Sequence, residues 1–197
     1  MKSIKIITAI IASICVFASC SINDTKESQK PGSSGMTLEI LLVANENVYS
    51  GETKEFIDSL FKQPQENLNR PEPIFNVVNI STALYNKSDL YKKHRNVIII
   101  DVNSKNENKV YFRRDEWSYP QVVFQFSISK ISELRPLLTK YFPQITDEIY
   151  NYERLRIKNT MNKLENTDIT RALKQNFGFW ITVSNEFQLS VLKDNFA

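Results

Sequence analysis

The residue whose chemistry the sequence defines best is Cys20. It follows the residues FAS at 17–19, and residues 6–17 before it are uncharged and mostly apolar. Lys2 and Lys5 stand in front of this stretch. The apolar stretch is shorter than the ~20 residues that a spanning helix needs, but it suits the apolar region of a signal peptide. Small residues before a cysteine are typical of the site where a bacterial lipoprotein precursor is cut and its thiol is acylated. The pattern therefore predicts a lipid anchor, with palmitate-type chains, on Cys20.

The segments around this cysteine predict where the protein is located in the cell. We expect a signal peptide over residues 1–19 and a flexible tether over residues 20–36, which are polar and rich in Ser, Lys and Gly. Acyl chains on the thiol would hold the protein at a membrane, so the expected location is the cell envelope, with the outer membrane favoured and its leaflet left open. The alternatives are a secretory signal cut near Ala18 or Ser19 and an uncleaved anchor. Cys15 would be lost with the signal, which leaves no thiol for a disulfide, a metal site or a redox couple.

Two further residues could carry hydrolytic chemistry. His94 is the only histidine, and Asp101 follows an apolar run at the predicted carboxyl end of a strand, where ligand sites of open α/β sheets lie. A cleft joining His94 with Asp101 or Glu72 would supply a base and a carboxylate. The chain has no HExxH or GxSxG spacing and no glycine-rich phosphate loop. The more ordinary interpretation is that His94 forms structural hydrogen bonds and Asp101 caps the next turn. The sequence therefore predicts no catalytic residue, no metal site and no cofactor.

The loop RRDEWSYP at residues 113–120 is the most unusual candidate for binding. It combines guanidinium groups, carboxylates and two large aromatic rings. Arginine and tryptophan dominate binding hot spots, and aromatic rings stack on sugars or peptides. The alternative is a hairpin loop whose Trp117 folds back onto the core. The predicted binding residues are His94, Asp101, Arg114, Trp117 and Gln121.

Positioning these residues requires a sheet, and the apolar periodicity predicts a mixed α/β fold of the α+β type. A β-α-β-α-β alternation opens it, followed by a β-pair, a helical segment and a final β-pair. The predicted strands cover residues 38–44, 75–80, 97–102, 110–112, 122–128, 179–183 and 187–192. We expect these elements to form a single domain over residues 37–197.

Helix signals stand between the predicted strands. Ser50 is positioned to cap a first helix, and Ser81 or Ser88 a short second one. Helical spacing over residues 131–138 predicts a helix that Pro143 separates from a longer one over residues 145–164. Asn166 then begins a last helix, which a glycine at position 178 ends.

Several segments occur in an order that resembles a known family. They are the apolar first strand, RPEPIF at 70–75, HRNVIIID at 94–101 and YPQV at 119–122. With the lipid-attachment signal, they resemble the Bacteroidota lipoproteins grouped as domain of unknown function 4837, over most of the mature chain. The resemblance implies a lipid-anchored envelope protein and supplies no activity. It also implies longer members, so a domain truncated at Ala197 is expected; the alternative is a complete short protein whose last strand is an edge.

The charge balance limits the classes of partner that the chain can bind. The formal net charge is +3, and removal of Lys2 and Lys5 leaves about +1. Such a chain lacks the excess of positive charge that attracts a nucleic-acid backbone. We expect the membrane, through the anchor, and another envelope protein or glycan as partners. The predicted function is a non-enzymatic binding or structural lipoprotein of the envelope; the alternative is a lipid-anchored hydrolase using His94 with nearby carboxylates.

Overall fold

Five strands form one mixed sheet in the computed structural model, which describes residues 30–66 and 69–193. The strands are β1 (Glu39–Val43), β2 (Asn76–Ile80), β3 (Asn96–Val102), β4 (Lys109–Arg114) and β5 (Val122–Ile128). Their spatial order is β2-β1-β3-β5-β4. Strands β2, β1, β3 and β5 are mutually parallel, and β4 lies antiparallel to β5 at one edge. The predicted α/β fold with a mixed sheet is confirmed.

Five α-helices accompany the sheet in the described part of the chain. They are α1 (Gly51–Phe61), α2 (Thr82–Lys87), α3 (Asp89–Lys92), α4 (Leu134–Lys163) and α5 (Thr167–Phe177). The side chains of Ser81, Ser88 and Asn166 accept backbone N–H bonds at the starts of α2, α3 and α5, which confirms these three predicted caps. Ser50 stands at the start of α1 as predicted, but its side chain makes no capping hydrogen bond. Gly178 ends α5 in the left-handed conformation, at a φ of 74°.

The two faces of the sheet are covered very differently. Side chains alternate between the faces along each strand, so Ile98 and Ile100 point one way and Val97 and Ile99 the other. The first face packs under α1 and α4 and holds the larger core, including Phe61 and other fully buried residues. The second face carries a smaller cluster made of Leu41, Val43, Tyr85, Val97 and Val123. Among the described residues, α2, α3 and the loop before β5 lie over this second face, which we call the open face.

Helix α4 is continuous, so the prediction of two helices separated by Pro143 is wrong. Pro143 lies inside α4, where proline removes one backbone hydrogen bond. Leu134, Leu138, Ile145 and Ile149 are buried in the larger core on both sides of it. Packing along the whole apolar stripe therefore outweighs the missing hydrogen bond, because most helical stability in proteins comes from such packing.

The predicted final β-pair is also wrong. Residues 179–192, which we call the tail, form no strand in the described structure. An isolated bridge between Glu165 and Ser184 and a hydrogen bond of 2.7 Å from Asn166 N to Val183 O attach the tail region to the start of α5. Strand composition alone does not make a strand, since a strand needs a partner for its backbone, and the tail joins neither edge of the sheet.

The folded unit begins earlier than residue 37. Gly32 bridges Tyr119, and Ser34 bridges His94. Ser34 N donates to Lys93 O at 3.0 Å, and Arg95 N donates to Ser34 O at 2.9 Å. Residues 31–36, which the prediction placed in the tether, therefore belong with the folded unit. The predicted signal peptide and Cys20 lie outside the described residues. Within residues 30–66 and 69–193, no helix is both long enough and apolar enough to cross a membrane.

Candidate functional site: a groove on the open face

A groove of about 280 Å³ lies on the open face of the sheet. Its apolar surface includes Tyr85, Ile99 and Trp117. Polar and charged side chains surround this surface: they are Thr82, Asn86, Lys92, Asp101, Arg113 and Gln125. An apolar floor with several convergent polar groups is the usual composition of a ligand site.

Strand register and helix periodicity bring these residues together. Ile99 of β3 is paired with Gln125 of β5, so both side chains lie on the same face of the sheet. Thr82 and Asn86 are four residues apart on α2 and therefore lie on one side of that helix. The chain passes from β1 out to β2 and then returns across β1 to β3. Such a reversal of strand order is where open α/β sheets bind ligands, near the carboxyl ends of the strands.

Tyr85 supplies an unusual feature of the groove. The residue is 4% exposed, and its ring meets that of Trp117 edge to face, with centroids 6.1 Å apart. The hydroxyl is buried and has no hydrogen-bond partner among the described residues. Burial raises the pKa of Tyr85 above its ordinary value, so the hydroxyl keeps its proton. A buried polar group without a partner costs about 1–3 kcal/mol, and a ligand atom that bonded this hydroxyl would recover that cost.

Trp117 folds back onto the sheet, as the alternative interpretation of its loop predicted, and its role in binding stays a prediction. It packs beside the smaller core cluster and also lines the groove. Gln121 fixes the loop from behind: its Oε1 accepts from Trp117 N at 2.9 Å, and its Nε2 donates to His94 O at 2.8 Å. Gln121 is fully buried. It therefore holds the tryptophan in place and does not itself line the groove.

Arg113 and Arg114 point to opposite faces of β4. Arg113 lines the groove, donates to Gln125 Oε1 at 2.8 Å and lies 3.7 Å from Glu116. Arg114, the predicted binding residue, lies on the helix-covered face, where its Nε donates to Glu148 of α4 at 3.1 Å. No sequence pattern favours Arg113 over Arg114 until the bounds of β4 are known, because a shift of one residue exchanges the two faces.

Asp101 lies at the carboxyl end of β3, at one end of the groove. The residue is exposed, and its Oδ2 accepts from Asn106 Nδ2 at 3.2 Å. It therefore supports the following turn, as the ordinary interpretation predicted, while keeping a carboxylate toward the groove.

His94 lies beyond the other end of β3 and is 8% exposed. Its Nε2 is 2.8 Å from Glu39 Oε1, and its Nδ1 is 3.0 Å from Asn96 O. Burial tends to raise the pKa of Glu39, but hydrogen bonds from His94 and from the Met36 N–H outweigh it, so the pKa lies below its ordinary value. Both ring nitrogens are occupied, and the structure does not bring His94 together with Asp101.

A buried charge cluster at the amino ends of β1 and β3 was not predicted. Glu153 of α4 is 4% exposed and pairs with Arg95 NH1 and Arg156 NH1, each at 3.0 Å. Its Oε1 also accepts from Leu38 N at 3.4 Å. Burial lowers the pKa of Arg156. The cluster fixes α4 to the ends of two strands; its members lie far apart in sequence, so no local pattern could reveal it.

A metal ion needs several ligand side chains grouped together. Over residues 30–66 and 69–193, no three His, Cys, Asp or Glu side chains are grouped so that they could hold a metal ion.

A family model described as Domain of unknown function (DUF8532) matches residues 33–162. The resemblance to domain of unknown function 4837 is therefore wrong, and what it implied for this chain lapses with it. The segments behind that resemblance are short. Residues 94–101 include most of β3, and residues 119–122 include Gln121, which supports the Trp117 loop. Neither the curated proteins nor the solved structures include a match to this chain. The matched range spans the sheet, the groove and nearly all of α4, and it ends before α5 and the tail.

Proposed function

Because the chain belongs to the family of Domain of unknown function (DUF8532), whose description names no activity, we propose a function from the chemistry of the groove. The protein is a non-enzymatic envelope component that binds a saccharide unit of an envelope glycan on the open face of its sheet. The observation that carries the proposal is the buried, unpartnered Tyr85 hydroxyl beside the Trp117 ring in that groove.

Saccharides fit the mixture of groups in the groove. A sugar ring offers C–H faces that pack on aromatic rings, and hydroxyls that need both donors and acceptors. Arg113 can only donate and ionised Asp101 can only accept, while Asn86 and Gln125 can do both. The volume of about 280 Å³ is at the small end of ligand sites, which start near ~300 Å³. One or two sugar rings match that size better than a long polymer does.

The proposed location rests on the sequence before the described residues. The signal-like residues 1–19 and Cys20 support export and acylation. A lipid anchor would keep a groove of modest affinity close to the glycans of the envelope, because anchoring raises the effective concentration of binding partners.

The hydrolase alternative receives no support from the geometry. A general base needs a nitrogen or oxygen within hydrogen-bond reach of the substrate, and both nitrogens of His94 are already bonded inside the fold. His94 does not line the groove.

The test uses saccharides as probes. Isothermal titration of the full chain with a panel of neutral disaccharides and of N-acetylhexosamine disaccharides measures affinity. Tyr85→Phe removes only the hydroxyl, so we expect roughly 5- to 20-fold weaker binding, equivalent to about 1–2 kcal/mol, with no loss of thermal stability. Arg113→Gln should weaken binding at least as much.

Arg114→Gln is the matched control, because it changes the neighbouring arginine on the other face and should leave the affinity within about twofold. The proposal fails if no saccharide of the panel binds, or if Tyr85→Phe and Arg113→Gln bind as the unmodified chain does. Binding of extended peptides in place of saccharides would overturn the ligand class.

A further inference from the structure

The tail exposes an unusual amount of apolar surface. Seven of its large hydrophobic side chains are between 36% and 64% exposed: Phe179, Trp180, Ile181, Phe187, Leu189, Val191 and Leu192. Single exposed apolar residues are ordinary, but such a concentration in one short segment marks an interaction site. This segment lies outside the residues that the family model matches.

The exposed area is about what one partner contributes to a stable dimer. With large side chains offering roughly 150–250 Å² each, the exposed fractions amount to on the order of 700 Å². A standard protein interface buries about 800 Å² per partner. The tail could therefore supply most of an interface between two copies.

The sequence of the tail also suits strand pairing. Phe187, Leu189 and Val191 alternate with polar Gln188 and Ser190, which is the period of a half-buried strand. Residues 187–192 form no strand and join no other described strand. A second chain would pair with this segment through its backbone, while the alternating apolar side chains pack against each other.

Charges around the tail are balanced. Arg171, Lys174 and Lys193 stand against Glu165, Asp168 and Glu186 along residues 165–193. A two-fold interface uses the same patch on both subunits, so it needs both signs on that patch. An anionic lipid surface would instead favour an excess of cations. The balance therefore favours a second copy over a membrane.

We propose that the tail is a homodimer interface, in which residues 187–192 pair as a strand with the same segment of a second copy. This inference does not depend on the groove or on the lipid anchor.

Cysteine cross-linking of the full chain in cells tests the interface. Leu189→Cys places a thiol in the proposed strand, and Lys105→Cys places one in an exposed turn far along the chain from the tail. After mild oxidation, we expect a disulfide-linked product of twice the monomer mass for Leu189→Cys. The unmodified chain and Lys105→Cys should not give it. Adding Phe187→Asp to Leu189→Cys should reduce the product at least tenfold without changing the melting temperature, because Phe187 is exposed.

Four results would overturn the proposal. No product at position 189 would exclude a close approach of two tails. Equal products at positions 105 and 189 would show random collision. A product of any other mass would identify a different protein as the partner. Protection of the position-189 thiol from a water-soluble reagent only when membranes are present, without a dimer, would assign the tail to the lipid surface.

Discussion

Gly35 lies directly against the ring of His94. A β-carbon built on Gly35 would overlap the imidazole, and the backbone there has a φ of 98°. L-residues with a side chain rarely adopt this conformation. The position thus allows only glycine for two independent reasons, and it is the point where the first described segment passes over the buried His94–Glu39 pair.

We expect Gly35→Ala to lower the free energy of unfolding by about 2 kcal/mol, because it adds both a backbone strain and an overlap with a buried ring. Gly32→Ala is the matched control, since a β-carbon there meets nothing within 4 Å, and we expect its effect to stay within about 1 kcal/mol. Urea denaturation of both variants measures the difference. Equal stability of the two variants would show that the segment does not pack on His94 in solution.

Individual site residues could be predicted only in part. The sequence indicated Trp117 and Asp101, and both line the groove. It did not indicate Tyr85, because a tyrosine in a short helix carries no pattern that separates a groove residue from a core residue. The choice between Arg113 and Arg114 depended on the bounds of one strand. Residue types can therefore suggest a site, but the face on which each side chain lies decides whether it lines the groove.

Among the elements, α4 departs most clearly from what local rules predict. Its 30 residues include Pro143, although proline in a helix interior costs about 3 kcal/mol. The buried stripe of α4 continues on both sides of the proline, and Pro143 itself is exposed. The loss of helical stability at Pro143 is thus outweighed by the packing of α4 against the core.

Replacing this proline should stabilise the protein. We expect Pro143→Ala to raise the free energy of unfolding by about 1–3 kcal/mol, because the helix regains a backbone N–H and loses a steric conflict. Pro136→Ala is the control: Pro136 lies in the first turn of α4, where the backbone N–H has no helical partner in any case. Its effect should stay below about 1 kcal/mol. A destabilised Pro143→Ala variant with an unchanged Pro136→Ala variant would show that the proline sets a bend that the packing requires.

The tail shows the opposite error. Its residues have strand composition, yet they form no strand in the described structure. Strand formation depends on partners far away in sequence or in another chain, which no local pattern records. Helix caps, by contrast, are set by neighbours within four residues, and those at Ser81, Ser88 and Asn166 could be predicted.

At the scale of the whole molecule, the class of fold followed from the alternation of apolar runs, but the strand order did not. Nothing local states that β5 inserts between β3 and β4, or that β1 is flanked by β2 and β3. These neighbours are selected by which arrangement buries the two faces together. The sequence therefore predicts the list of most elements, and long-range packing determines their places.

The proposed anchor is testable at the same scale. We expect metabolic labelling with an alkyne fatty acid to mark the full chain, and Cys20→Ser to abolish the label. Cys15→Ser is the matched control and should keep the label, since Cys15 lies within the proposed signal. Retention of the label in Cys20→Ser would remove the lipoprotein proposal while leaving the groove proposal intact.

The buried charge cluster also bears on when the chain can fold. Glu153 bonds Leu38 across 115 residues and Arg95 across 58. Until α4 is present, Arg95 would have to be buried without its partner, which costs about 3–5 kcal/mol in comparable cases. The parallel pairing of β1, β2, β3 and β5 is also non-local, and such topologies fold slowly. We therefore expect a chain emerging from the ribosome to stay unfolded until most of α4 has been made, a state that would suit the proposed export.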